Sequence, residues 1–311
     1  MMPRFSVLVP AYNAEATLRE TLDSISAQTM DDWECVVVDD GSADDTAAIV
    51  SSYESGDPRF RLLRQENRGA AGAYRTAAAA ATADLFVICA ADDLLLPEHL
   101  ATMDDLIARN PECGIFSCNG EFLDDASGDL RIAYAGGEWE HERSLSLDEV
   151  IHECFFSVGA ILRRSVYELT GGHRPGVYVD DYDLWLRAMA RGVIHRYTPC
   201  ILAVHRVSDF QQSADSRRLW QSDIEVYRHL IAKGYVPPES IPAIEQSIRR
   251  RTEWLEGFEV AEAFERQART LREGVERRVG SRWAEPAMKA IHAISWITRP
   301  VRRALARRRA C

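Results

Sequence analysis

From Phe5 to Asn110, short β-branched runs alternate with helical patterns, and this alternation constrains the fold more than any other feature of the chain. Phe5 to Val9, Glu34 to Val38, Arg61 to Arg64 and Leu85 to Cys89 read as strands. Ala14 to Gln28, Thr46 to Tyr53, Gly72 to Ala83 and Pro97 to Asn110 read as helices, the last opened by its proline. Repeated strand, helix, strand units predict an α/β fold with a mostly parallel sheet flanked by helices. Ligands of such open sheets bind beyond the carboxyl ends of the strands, so the residues just after each strand are the first candidates for function.

Past Asn110 the pattern is mixed. Gly114 to Asn119 is strand-like, a polar loop surrounds Asp124 to Asp129, and Leu147 to Glu153 and Tyr182 to Arg191 read as helices. From Ser216 the sequence turns almost wholly helical. Pro237-Pro238 separates a first helix from a long one whose apolar stripe runs through Trp254, Phe258, Ala261, Ala268, Leu271, Val275 and Val279. The expected organisation is an α/β domain over 1–215 and a helical extension over 216–311. A chain of 311 residues can bury a core for both.

A net charge of -11 and an isoelectric point near 5.3 argue against a general nucleic-acid binder, which needs positive charge to meet phosphates. The seven cysteines are scattered and never in C-x-x-C spacing, which predicts reduced thiols and a cytoplasmic setting. Met1 to Pro10 is too short an apolar run for a signal peptide, and Arg75 and Asp84 interrupt the alanine-rich stretch well short of the ~18 residues a membrane span needs. The last segment places Arg282, Lys289, Arg299, Arg302, Arg303, Arg307, Arg308 and Arg309 among Trp283, Ile291, Ile294, Trp296, Ile297, Val301 and Leu305. A basic amphipathic helix of this kind can lie on an anionic membrane surface; the plain alternative is a solvated terminus docked on the long helix.

Three acidic clusters sit where chemistry is expected. Asp39-Asp40-Gly41-Ser42 follows the buried Val36 to Val38 run, and an ionised aspartate there can accept a hydrogen bond from a ring N–H of a base; it can equally form an Asp/Gly/Ser turn. Asp92-Asp93 follows Leu85 to Cys89, and paired carboxylates suit a hard divalent cation shared with a diphosphate, or else a helix N-terminus. Asp180-Asp181-Tyr182-Asp183, preceded by Gly171-Gly172, offers a general base for a hydroxyl, or ordinary capping. The two glycines allow close backbone approach to a ligand, or simply a turn.

The three clusters occur in one chain, in this order, on suitable elements. With Ser6-Val7-Leu8-Val9-Pro10-Ala11-Tyr12-Asn13, Leu22-Asp23-Ser24-Ile25-Ser26-Ala27-Gln28-Thr29, Val37-Val38-Asp39-Asp40-Gly41-Ser42, Asp45-Thr46, Asn67-Arg68-Gly69, Ala91-Asp92-Asp93 with Pro97, Gly171-Gly172 and Asp181-Tyr182-Asp183-Leu184-Trp185-Leu186-Arg187, the sequence resembles the family 2 inverting glycosyltransferases of the GT-A fold over roughly residues 4 to 213. The resemblance implies a nucleotide-sugar donor, UDP before dTDP or GDP, and a glycan or lipid-linked acceptor. Pro10 and Tyr12 would flank the nucleoside and Asp39 would hold its base. Arg75, Asp92, Gly171 and Gly172 would complete the nucleotide-sugar site. Asp92 and Asp93 would take a Mn²⁺ or Mg²⁺ ion, joined by His205, and Asp181 would be the general base. Val204 to Ser213 resembles the segment that closes over the donor diphosphate, where His205 or Arg206 can meet phosphate oxygens. The chain departs from the family at Ala90, Tyr74 and Asp180, where relatives often carry Asp, Arg and Glu.

Other functions fit less well. A non-catalytic nucleotide-sugar binder or scaffold of the same fold has no use for Asp181 at the base position. A dinucleotide oxidoreductase needs a G-x-G-x-x-G after the first strand, and a nucleotidylyltransferase needs a basic phosphate loop there; this chain has Ala11-Tyr12-Asn13.

Overall fold

The computed structural model describes residues 2–152, 154–155, 157–207 and 215–259. Its centre is a nine-stranded sheet. β1 (Phe5–Ala11), β2 (Trp33–Asp39), β3 (Phe60–Arg64) and β4 (Leu85–Ile88) pair in parallel in the order β3-β2-β1-β4. Between them run the helices α1 (Leu18–Ser26), α2 (Thr46–Gly56) and α3 (Gly69–Ala80). Alternate residues of the apolar runs enter two different core clusters, Leu8, Val36, Val38 and Phe86 on one face, Val7, Val9, Val37 and Val87 on the other. Both faces are buried, which is why these strands read as continuous hydrophobic runs.

The expected helix from Ala14 starts later, at Leu18. The backbone N–H groups of Asn13, Ala14 and Glu15 are instead given to Ser42 Oγ, Thr46 Oγ1 and Asp44 Oδ2, so the loops after β1 and β2 are stitched together before the helix begins.

The second half of the sheet is mixed. β5 (Leu94–Leu95), α4 (His99–Arg109), β6 (Ile115–Asp124), β7 (Leu130–Ile132), α5 (Leu147–His152), β8 (Ile161–Arg163), α6 (Arg164–Thr170), α7 (Asp180–Met189) and β9 (His195–Val207) complete it. β8 enters antiparallel between β4 and β6, β9 lies parallel to β6, and β5 runs antiparallel on the outer edge of β9. β9 spans 13 residues yet carries no clean sequence signal. Its register against β6 shifts on both sides of Asn119, opposite the stretch holding Pro199, which has no N–H to give to a ladder.

After Asp215 come α8 (Ser216–Ala232), a short 3-10 turn at Pro238–Ser240 and a helix over 241–259. Val226, Tyr227, Leu230, Val236 and Ile244 from this extension share one core cluster with Val38, Phe86 and Trp185 of the α/β part. From the expected stripe, Trp254 and Phe258 pack on Trp220 at 5.0 and 5.3 Å between ring centroids. Ala261, Ala268, Leu271, Val275 and Val279, and the basic tail from Arg282 to Arg309, lie outside the described residues. Among those described, no helix is long and apolar enough to cross a membrane, and the six cysteines are free thiols.

Candidate active site

The carboxyl ends of β1 and β2 lie side by side, Ala11 opposite Asp39, with the Asp40 N–H donating to the Ala11 carbonyl at 2.8 Å. Asp39 is fully buried. Its Oδ1 accepts from the Ser42 N–H at 2.9 Å and its Oδ2 from Arg64 Nε at 3.2 Å. Gly41 has φ +79°, and a Cβ there would stand 3.1 Å from the Asn67 nitrogen, so the turn needs glycine. Asp40 accepts from Gln65 Nε2 and from the Arg68 N–H, which ties the same turn to the start of α3. Above this rigid floor Pro10 is half-buried and the Tyr12 ring is 54% exposed, a flat apolar face held out into solvent. The next residue, Asn13, stands in the left-handed region at φ 48°.

Asp92 and Asp93 follow β4, and the β5–β9 pairing brings them against the end of β9. Asp93 is buried, and its Oδ1 accepts from His205 Nδ1 at 2.9 Å and the Arg206 N–H at 3.2 Å. Burial opposes a charge on His205, but the carboxylates of Asp93, Asp92 and Asp181 together lift its pKa above the ordinary histidine range. The Arg206 guanidinium, expected to meet phosphate oxygens, donates to Asp125 at 2.8 Å, to Glu20 and to the Asp92 carbonyl. It serves as a tie between α1, the loop after β6 and the Asp92-Asp93 turn. Ser208 to Ser213 lie outside the described residues.

Among the described residues no three His, Cys, Asp or Glu groups are gathered tightly enough to hold a metal ion unaided. Half-buried Asp92 beside the Asp93–His205 pair nevertheless suits a cation that draws the rest of its oxygen shell from a diphosphate and water. These residues fit the metal as a partial site.

The third cluster opens α7. Asp181 is half-buried, and its Oδ1 accepts from the Tyr182 N–H at 2.7 Å. Asp180 points inward: it is 8% exposed and its Oδ2 has no hydrogen-bond partner among the described residues. Burial first, then the charges of Asp181 and Asp183, push its carboxyl up to about 8, so it is a neutral acid at moderate pH. Reading the Asp-Asp pair as helix capping missed this, because burial of one member is invisible in the local sequence. Asp183 is structural, held by Arg187 Nε at 2.8 Å and Arg174 at 2.7 Å.

The turn before α7 accounts for the two glycines without a ligand. Gly171 caps α6 in the left-handed conformation, and a Cβ on Gly172 would come 2.5 Å from the Tyr167 ring. Arg75 donates to the carbonyls of Gly171 at 2.6 Å and His173 at 3.3 Å, fastening α3 to this turn. Tyr74 beside it is buried and stacks on the His173 ring at 4.3 Å. Its phenol is raised well above the usual tyrosine value by burial and by Asp180, Cys89, Asp181 and Asp93. Tyr74 and His205 each feel Asp93 and Asp181, so the second and third acidic clusters share one electrostatic neighbourhood.

Comparisons with known proteins place the chain in a family and a fold. The chain is similar to the putative glycosyltransferase EpsH of Bacillus subtilis, 29% identical over 72% of this chain and 67% of that one. It is similar to WfgD of Escherichia coli, named a UDP-Glc:alpha-D-GlcNAc-diphosphoundecaprenol beta-1,3-glucosyltransferase, at 28% identity over 58% of this chain and 68% of that one. The matched spans are thus about two thirds of the length of these relatives. In fold it is similar to the mannosyltransferase PcManGT of Pyrobaculum calidifontis, solved with GDP-Man and Mn²⁺, with a TM-score of 0.62, 22% identity, and coverage of 97% of this chain and 83% of that one. The family model for glycosyl transferase family 2 matches residues 6–170. That match spans more than half of the chain and contains both the Asp39 turn and the Asp92-Asp93 pair, and on it the chain belongs to glycosyl transferase family 2, as a glycosyltransferase of the GT-A fold.

Proposed function

We propose that this chain transfers a hexose from a UDP-sugar to a hydroxyl of a lipid-linked or glycan acceptor, with inversion, in the assembly of a cell-surface glycan. The observation that carries the reading is the shared neighbourhood of Asp181 with the Asp93–His205 pair, since a single displacement needs a base and a diphosphate site on either side of one anomeric carbon. Asp39 accepts the N–H of the uracil ring, and Tyr12 and Pro10 flank the nucleoside. Asp181 takes the proton of the acceptor hydroxyl as its oxygen bonds to the anomeric carbon; the bond from that carbon to the diphosphate oxygen breaks, and the nucleoside diphosphate leaves. One bond forms as one breaks on the opposite face, which inverts the centre and needs no covalent enzyme intermediate. Asp92 with the Asp93–His205 pair would hold Mn²⁺ or Mg²⁺, which when bound neutralises charge on the departing diphosphate. Arg75, Gly171 and Gly172 border the donor through the turn they build.

A UDP donor and a lipid-linked acceptor are supported by the likeness to WfgD, whose name specifies both. A lipid-linked acceptor also suits the basic amphipathic stretch from Arg282 to Arg309, which would rest on the cytoplasmic face of a membrane. A thermal-shift screen tests the site map: UDP-, dTDP- and GDP-hexoses, with and without Mn²⁺ or Mg²⁺, on the native chain, Asp92→Ala and Asp181→Ala. Binding raises apparent stability by mass action, so the acceptor need not be known. A metal-dependent UDP-hexose shift lost in Asp92→Ala and kept in Asp181→Ala is the expected result. No shift with any donor would favour a scaffold that kept the fold without the reaction.

A further inference from the structure

Asp181 stands in the first turn of a helix with no side-chain cap: Val179, at the N-cap position of α7, makes no capping bond. The backbone just ahead of that turn is held from elsewhere in the chain. Ser222 on α8 is buried, and its Oγ accepts from the N–H groups of Tyr178 at 3.2 Å and Val179 at 3.4 Å, immediately ahead of Asp180-Asp181. One and a half turns further along the same helix, Tyr227 OH lies 2.8 Å from Tyr182 OH. Both phenols are buried, and both meet α5 carbonyls: Tyr182 reaches Val150 at 2.9 Å and Ile151 at 3.3 Å, and Tyr227 reaches Ile151 at 2.9 Å. The Tyr182 backbone N–H in turn donates to Asp181 Oδ1. Hydrogen bonds from α8 therefore reach the residues on either side of Asp181, the Tyr178-Val179 backbone before it and the Tyr182 phenol after it.

α8 is itself braced. Arg251, from the helix over 241–259, donates through Nε to Asp223 Oδ2 at 2.6 Å, and its guanidinium lies 5.0 Å from the centre of the Tyr227 ring. Asp223 follows Ser222 in sequence and shares a helix face with Tyr227 four residues on, so this nearly buried ion pair braces α8 between the two hydroxyls. All of these α8 residues lie beyond residue 170, where the family match ends.

We propose that α8 positions the general base: Ser222 and Tyr227 are positioning residues, acting on Asp181 through the Tyr178-Val179 backbone and through Tyr182. The inference rests on reading Asp181 as the base. It assigns the helical extension a part in the reaction that goes beyond packing. The two hydroxyls set the entry angle and rotation of the first turn of α7, and the direction of the Asp181 carboxylate follows from both.

The test uses the full chain and nucleotide release from whichever of UDP-glucose, UDP-galactose, UDP-GlcNAc, dTDP-glucose and GDP-mannose gives the largest thermal shift, with water as acceptor. Ser222→Ala and Tyr227→Phe should each lower kcat by about tenfold, since small misplacements of a catalytic group cost up to ~100-fold. KM for the donor and Kd for UDP should stay within about twofold of the native values, the spread left by ordinary surface-scale perturbation. Val226→Ala, which removes buried mass from α8 but leaves both hydroxyls, should lower Tm without lowering kcat. The proposal is overturned if the two hydroxyl variants keep native kcat, or if kcat in all three simply follows Tm. Asp181→Asn separates the layers. If it keeps native kcat, or if the native chain releases nucleotide from none of the donors, the base reading fails and this inference with it; if it abolishes release while Ser222→Ala and Tyr227→Phe do not touch kcat, only the inference fails.

Discussion

The acidic turns at Asp39-Asp40 and at Asp180-Asp181 are built on contrary lines. Around Asp39 the carboxylates have local partners: Oδ1 takes the Ser42 N–H, Oδ2 takes Arg64, and Asp40 is shared by Gln65 and Arg68. Around Asp180-Asp181 the polar groups are left wanting. Asp180 Oδ2 and His173 Nε2 are buried without a partner among the described residues, and Asp181 meets only the adjacent N–H in the bonds described above. On the proposed function the Asp39 half would recognise a nucleotide, and a finished site leaves little ordering cost for binding. The other half would accept a proton, and it carries the cost of an unsatisfied buried carboxyl.

The largest effect that can break this division is in Asp181→Asn. It should lower transfer by about 1,000-fold, the range of general-base catalysis, while UDP affinity measured by calorimetry stays native. Loss of UDP binding in that variant would show that the two halves are one. Asp39→Ala should do the reverse: UDP affinity falls about thirtyfold, the worth of a hydrogen bond to a charged group, with little further loss in kcat. It should also lower Tm, since the Ser42 N–H and Arg64 lose their acceptor. His205→Ala sits between the halves. Removing the partner that orients Asp93 should raise the Mn²⁺ concentration for half-maximal donor binding by about tenfold, the usual effect of a residue around a metal site, and a titration of the thermal shift against Mn²⁺ reads it.

What the sequence reveals follows the same division. The strands of the Asp39 half are buried on both faces, so Val36-Val37-Val38 and Leu85 to Cys89 announce themselves, and the turn after them is local chemistry. The general plan of the other half is visible only as residue types. Asp180 looks like a capping residue because its burial depends on packing that the local sequence does not show. The tie from Arg206 to Glu20 is invisible in the sequence because the two lie 186 residues apart. β9 is hidden by its irregular register near Pro199, and with it the contact that closes Asp93 onto His205. Gly171 and Gly172 read in the sequence as close approach to a ligand or as a turn, and the structure shows the turn's own demand: a left-handed φ at Gly171 and the Tyr167 ring against Gly172.

Asp180→Asn is the subtlest way to sharpen the comparison, and its sign is fixed by linkage. The Asp180 carboxyl titrates near 8 in the folded chain, against an ordinary 3.8. Below about pH 4 both folded and unfolded states hold the proton, so the group contributes nothing that depends on pH. As pH rises from there the unfolded chain releases its proton while the folded chain must keep it, and stability falls until the folded carboxyl also ionises near pH 8. An amide has no proton to lose. The variant should match the native chain in Tm at about pH 4 and overtake it steadily towards pH 8, by several degrees given that ~1 kcal/mol moves a chain of this size by roughly 2–4 °C. Scanning calorimetry at half-unit pH steps reads the difference directly. A difference between Asp180→Asn and the native chain that stays flat across this pH range would mean that the turn at Asp180-Asp181 is no more strained than the turn at Asp39, and the physical distinction between binding and chemistry in the proposed site would have to rest on Asp181 alone.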